Sequence, residues 1–133
     1  MTATTDASKP WVLIIDDDED NRELLAEYLT TGDYAAVSCG AAAEAERVLD
    51  SRPPPCLVIS DVRMPDMDGR TFVAKLRARA GFEDTPVVFV TGTAASALGP
   101  IREPVLTKPI DLDALMVAVN RHCGTGGSAA ACS

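Results

Sequence analysis

The chain has 133 residues, 47% of them apolar, enough for one domain with a buried core and too apolar for a disordered chain. Its formal net charge of −8 and isoelectric point near 4.5 argue against free nucleic acid or an anionic membrane surface as a direct partner. No apolar stretch is long enough to cross a bilayer, and Met1 to Lys9 lacks the apolar run of a secretory signal, so a soluble, cytoplasmic protein is expected.

Residues 1–10 read as a flexible leader. The run from Trp11 to Ile15 predicts a first strand, stopping at Asp16 and Asp17. A helix follows from Asp20 to Thr31, with Leu24, Leu25, Tyr28 and Leu29 as its apolar stripe and Gly32 as its stop. Tyr34 to Ser38 is a weaker strand, and Ala41 to Ser51 an alanine-rich helix with Glu44, Glu46 and Arg47 toward water. Pro53-Pro54-Pro55 cannot continue that helix and makes a stiff connector. Cys56 to Ser60 is the third strand, stopping at Asp61, and the loop to Gly69 carries Met64, Pro65 and Met67.

Arg70 to Ala80 predicts the third helix, with Phe72, Val73 and Leu76 inward. Pro86 to Val90 is the fourth strand, stopping at Thr91. Ala94 to Leu98 allows only a short fourth helix before Gly99-Pro100. Val105 to Thr107 is the fifth strand and leads to Lys108-Pro109. Asp111 caps a last helix that carries Leu112, Leu115, Met116 and Val119 on one side. His122 sits at that helix's C-terminal end, where a histidine is favourably placed. Residues 124–133 read as a flexible tail, so one domain is expected over 11–123, with no output domain after it.

Short apolar runs alternating with helical patterns predict a doubly wound α/β domain: a five-stranded parallel sheet with helices on both faces. Side chains at the carboxyl ends of such strands converge on one crevice. Asp16, Asp17, Asp61, Thr91 and Lys108 are therefore expected to meet. Three carboxylates crowded together repel one another unless a cation intervenes, and Mg²⁺ suits oxygen ligands that leave room for water and phosphate. Asp17 and Asp61 are the expected direct ligands, with Asp16 direct or through water, and the backbone carbonyl of Arg63 a further ligand. Asp61, alone at a strand end, is the expected nucleophile for a phosphoryl group. Lys108 would take one phosphoryl oxygen, and the Thr91 hydroxyl, or backbone N–H groups after it, another. Arg63 and Thr93, each two residues beyond a reacting position, are expected to tune the lifetime of the phosphate.

Other chemistries fit less well. A phosphatase with an aspartyl nucleophile needs a second acid two residues on, and Arg63 stands there. Neither a phosphate-binding P-loop nor a glycine-rich dinucleotide fingerprint is present. The cysteines Cys39, Cys56, Cys123 and Cys132 show no metal-ligand spacing and read as four reduced thiols.

The strings V-L-I-I-D-D-D-E-D-N-R, V-I-S-D-V-R-M-P-D-M-D-G, V-F-V-T-G and L-T-K-P stand in this order, each at a predicted strand end. In these the chain resembles the receiver domain of bacterial two-component response regulators, the CheY-like family. The resemblance covers roughly Trp11 to Cys123. It implies a flavodoxin-like sheet order 2-1-3-4-5, Asp16 and Asp17 as the metal pair, and Asp61 as phosphoacceptor. It further implies Thr91 as switch hydroxyl, Lys108 as phosphate-binding lysine, and a cis bond before Pro109. A sensor histidine kinase or a histidine phosphotransfer protein would be the phosphodonor, and hydrolysis of the acyl phosphate would reset the switch. The chain would then be a phosphoacceptor assisting its own chemistry rather than an enzyme, with no assigned downstream partner.

The chain departs from the family at Val105, where an aromatic residue often stands, and in the short segment between Thr91 and Lys108. The alternatives are a receiver segment of a hybrid histidine kinase, or an interaction module of the same fold that works without phosphate.

Overall fold

The computed structural model describes residues 10–32, 34–92 and 103–123. Its elements are β1 (Trp11–Ile15), α1 (Glu19–Thr31), β2 (Ala35–Cys39), α2 (Ala42–Asp50), β3 (Leu57–Asp61), α3 (Gly69–Arg77), β4 (Val87–Thr91), β5 (Val105–Thr107) and α4 (Leu112–Cys123). The predicted short helix at Ala94 to Leu98, Thr93, the tail and most of the leader lie outside the described residues; α4 is the helix expected to be fifth.

All five strands are parallel, in the order β2-β1-β3-β4-β5, as the sequence reading expected. Strand alternation explains the two faces. Trp11, Leu13, Ile15, Val58, Val87 and Phe89 point to the face covered by α2 and α3, where Ala45, Leu49, Phe72 and Leu76 complete a core. Val12, Ile14, Leu57, Ile59, Val88 and Val90 point to the other face, against Leu25 and Leu29 of α1 and Leu115 and Val119 of α4. Fully burying each such Val, Leu or Phe side chain contributes about 1.5–3 kcal/mol. β1, β3 and β4 are buried along their whole length, so nothing along them shows alternation of polar and apolar residues.

Several local expectations shift. Leu24 is 47% exposed, so the stripe of α1 is Leu25 and Leu29, four residues apart, with Tyr28 at its margin. Helix α3 ends at Arg77, three residues before the expected stop. Beyond it the amide of Ala78 is shared between the carbonyls of Ala74 and Lys75, Arg79 N–H donates to Leu76 O, and Gly81 takes φ +92°. The Arg77 guanidinium turns to Glu103 and to the carbonyl of Thr85, tying the helix end to the chain on either side of β4.

The expectation of four reduced thiols is also corrected. Cys56 and Cys123 form a disulfide, with Cα atoms 5.3 Å apart. Cys56 precedes β3 and Cys123 ends α4, and α4 packs over the face that carries Leu57, which brings both residues to the amino edge of the sheet. Cys39 is a buried free thiol whose pKa burial, aided by Glu44, pushes up to about 11; Cys132 lies outside the described residues. Nearby, the Trp11 indole N–H donates to Pro53 O at 3.0 Å, and the Arg52 guanidinium lies 5.2 Å from the indole ring centroid. These contacts fasten the triple-proline connector to the amino edge.

Candidate functional site

The carboxyl edge is built by strand register. β1 and β3 pair Ile15 with Ser60, so the residues that follow, Asp16 and Asp61, are neighbours. β3 and β4 pair Asp61 with Val90, which puts Thr91 one step beyond. β4 and β5 pair Thr91 with Thr107, and Lys108 N–H donates to Thr91 O at 2.8 Å. Asp61 and Thr91 thus close their strands rather than open the loops. The peptide bond between Lys108 and Pro109 is cis.

At this edge the Lys108 ammonium lies 3.2 Å from Asp16 Oδ2 and 3.2 Å from Asp61 Oδ2. Asp16 and Asp61 are buried, and Thr91 is buried beside them; Asp17 is exposed at the mouth. Oxygen atoms of Asp16, Asp17 and Asp61 all lie within 4.8 Å of one another. A set of three hard carboxylate oxygens with one side open to solvent fits Mg²⁺, which keeps several waters.

Electrostatics set the resting state. Burial raises the pKa of Asp61; the Lys108 bond and charge and the Arg63 amide oppose this, while Asp16 adds to it. Burial alone would lower Lys108, but the Asp61 bond and the charges of Asp61 and Asp16 hold its pKa above the usual lysine value. One ammonium shared by two carboxylates stays charged, yet it does not fully offset the desolvation of Asp61. A divalent cation among the three carboxylates would reverse that imbalance.

The surrounding loops hold these groups in place. Asp16 Oδ1 accepts from Asp18 N–H at 2.9 Å, and Arg22 donates to the Asp16 carbonyl at 2.8 Å. Asp18 caps α1 through the amides of Asp20 and Asn21. The loop after β3 closes at its neck, where Gly69 N–H donates to Val62 O at 2.6 Å and Arg63 bridges Asp68. Gly69 is required there: a Cβ would collide with the carbonyl oxygen of Asp61 and press on Val62 and the Phe89 ring. Arg63 N–H points at Asp61 Oδ1, at 3.4 Å, while the Arg63 side chain is exposed. Met64 and Met67 pack against the α2/α3 side of the core, as does Val105. His122 lies at the far end of α4, exposed and away from this edge, and burial of part of its ring together with Arg121 lowers its pKa.

Sequence reading missed two contacts. Arg22 reaches back to the end of β1, and Asp66, at the tip of the loop after β3, accepts from the amides of Ala42 and Ala43 at 3.1 and 3.0 Å. The available signal for Asp66 was negative: the N-cap position of α2 is Ala41, which has no side chain able to cap it.

Comparison with known proteins agrees with this geometry. The family model described as "Response regulator receiver domain" matches residues 12–120. The transcriptional regulatory protein GlrR of Escherichia coli is 37% identical over 115 residues, 82% of this chain but 25% of GlrR. The response regulator Rre1 of Synechocystis is 36% identical over 114 residues, 81% of this chain and 49% of Rre1. The chain thus spans a quarter to a half of these relatives. Among solved structures, a response regulator receiver protein from Pseudomonas putida superposes with a TM-score of 0.74 at 31% identity, covering 86% of this chain and 98% of that one. No described helix is long and apolar enough to cross a membrane. Four strand-end strings in order, one crevice built from them and these relatives lead to one assignment: the chain belongs to the response regulator receiver domains of two-component signalling.

Proposed function

We propose that this receiver domain takes a phosphoryl group on Asp61 in a Mg²⁺-dependent transfer, from a sensor histidine kinase or a histidine phosphotransfer protein, and that the acyl phosphate switches binding to a downstream protein. The observation that carries this reading is the Lys108 ammonium 3.2 Å from oxygens of both Asp16 and Asp61, with Asp17 completing an oxygen cluster. Asp16 and Asp17 together with Asp61 and the Arg63 carbonyl would hold the cation. When bound, Mg²⁺ supplies positive charge for the phosphoryl oxygens.

The chain's own groups do the rest. An Asp61 carboxylate oxygen attacks phosphorus, the P–N bond to the donor imidazole breaks, and the imidazole leaves with the bonding pair and takes up a proton. Lys108, kept charged by its two carboxylate neighbours, gives up one of them to meet the incoming phosphoryl oxygen. The Thr91 hydroxyl, buried beside Asp61, takes another. Water then hydrolyses the acyl phosphate, and Arg63 and Thr93 set the rate by controlling access. Val105 offers no aromatic ring to swing inward, so the change at Thr91 is transmitted by other side chains. This chemistry makes the domain a substrate that assists its own modification rather than an enzyme. We place it in the cytoplasm. A thiol-reducing cytoplasm keeps most disulfides open, so Cys56–Cys123 is there one of two states of the pair.

The test is incubation with acetyl phosphate and Mg²⁺ followed by intact-mass measurement. The protein should gain one phosphoryl group, Asp61→Asn should gain none, and removal of Mg²⁺ should suppress the gain. A wild-type protein that never gains the mass would support the phosphate-independent module instead.

A further inference from the structure

Helix α2 begins without a cap of its own. Ala41 has the extended backbone of an N-cap residue, φ −156° and ψ 160°, but no side chain to accept the first amides. Glu44 reaches back only as far as Gly40 N–H, at 3.0 Å. The missing acceptor comes from 24 residues away. One carboxylate oxygen of Asp66 takes the amide of Ala42 and the other takes the amide of Ala43, and these two bonds, Ala43 first, lower the Asp66 pKa.

Asp66 lies at the tip of the segment that leaves β3 at Asp61. The neck of that segment is closed by Gly69 to Val62 and by Arg63 to Asp68. Arg63 is itself a neck residue, and its amide faces Asp61 Oδ1. The neck holds Arg63 through its own bridge, and the anchoring of Asp66 on α2 restrains the loop that this neck closes.

The geometry points to Asp66 as a positioning residue for cation binding: it borrows the N-terminus of α2 as an anchor that holds the Arg63 backbone at the acidic cluster. Asp66 touches neither cation nor phosphate. The inference rests on the Mg²⁺-dependent phosphorylation proposed above and adds to it the residue that keeps the cation-binding loop in register. Residues that orient metal ligands from behind typically change metal affinity about 10–100-fold when lost.

The experiment measures the initial rate of phosphoryl gain from acetyl phosphate across a Mg²⁺ titration, with chemical denaturation run alongside. For Asp66→Ala, the Mg²⁺ concentration giving half the maximal rate should rise about tenfold, while the rate at saturating Mg²⁺ stays close to wild type. Asp66→Asn keeps one oxygen acceptor and should recover part of the shift. The decisive variant is Ala41→Ser combined with Asp66→Ala. The introduced serine hydroxyl, together with Glu44, gives α2 a capping box of its own, so stability should return while the raised Mg²⁺ requirement remains.

Recovery of the Mg²⁺ requirement together with stability would make Asp66 a helix cap and nothing more. An unchanged requirement in Asp66→Ala, or a loss confined to the rate at saturation, would also overturn the inference. Wild-type protein that takes no phosphate would instead remove the underlying functional reading.

Discussion

The two edges of the sheet solve opposite problems. At the carboxyl edge, Asp16 and Asp61 share one lysine with Asp17 clustered beside them, and burial leaves Asp61 harder to ionise than an ordinary carboxylate. At the amino edge, Trp11, Pro53 and the Cys56–Cys123 disulfide tie strand starts and the end of α4 together, and the Arg77–Glu103 pair there is matched one to one. One edge concentrates charge at a cost in stability; the other supplies restraint. The same five strands connect them, so the core between can hold the acidic edge in shape without contributing charge to it.

Three perturbations would test that division, from the strongest to the weakest. Lys108→Ala removes the only cation within reach of Asp61 among the described residues. Loss of one preorganised charge of this kind typically costs about 10²–10³ in rate, so phosphoryl gain from acetyl phosphate should slow by about that factor, and intact-mass time courses would show it. The amino edge should be untouched, with the disulfide still resistant to alkylation.

Opening the disulfide should do the reverse. Cys56 and Cys123 are 67 residues apart, and releasing a loop of that length costs about 4 kcal/mol of stability in the chain-entropy account. Urea unfolding with and without a thiol reductant would measure it, and a Cys56→Ser, Cys123→Ser double variant should match the reduced protein. Phosphoryl gain below the unfolding range should persist. A reduced protein that loses phosphoryl acceptance while still folded would show that the edges are coupled.

The smallest effect is a matter of sign. Because the folded pKa of Asp61 is raised, the folded chain binds a proton more readily than the unfolded chain. Stability therefore falls as pH rises from the ordinary carboxylate pKa through the raised one, and stays lowered above it. In Mg²⁺-free buffer Asp61→Asn should unfold at a higher temperature than wild type at neutral pH. That advantage should shrink as pH falls toward the ordinary carboxylate value, and added Mg²⁺ should narrow it at neutral pH.

What the sequence made legible follows from range. Strand ends are local: an apolar run that stops at a charged residue announces itself within six residues, as at Ile15-Asp16, Ser60-Asp61 and Thr107-Lys108. Parallel pairing then brings those ends together without further instruction. Contacts that depend on how helices seat on the sheet left no such trace. Nothing in the spacing of Cys56 and Cys123 shows that α4 ends over the start of β3. Asp66 lies in a loop whose local pattern reads only as a turn, and its partners begin a helix 24 residues earlier. Leu24 and Leu25 are indistinguishable by composition, and only the seating of α1 buries one and exposes the other. The early end of α3 has the same origin: Ala78 and Ala80 favour helix, but Arg77 is drawn away to Glu103 and Thr85.

The Cys56–Cys123 bond turns the chain from β3 through α3, β4 and β5 to α4 into a covalent macrocycle. Asp61, Thr91 and Lys108 belong to it, while Asp16 and Asp17 sit on the open amino-terminal arm, so the acidic crevice is assembled from two topologically separate pieces. One backbone cut inside the macrocycle leaves the polypeptide in a single covalent piece until a thiol is added. One cut in the arm between Asp17 and Cys56 detaches the two acids from the lysine and the phosphoacceptor candidate, and noncovalent contacts, the pairing of β1 with β3 foremost, would then have to keep the crevice whole.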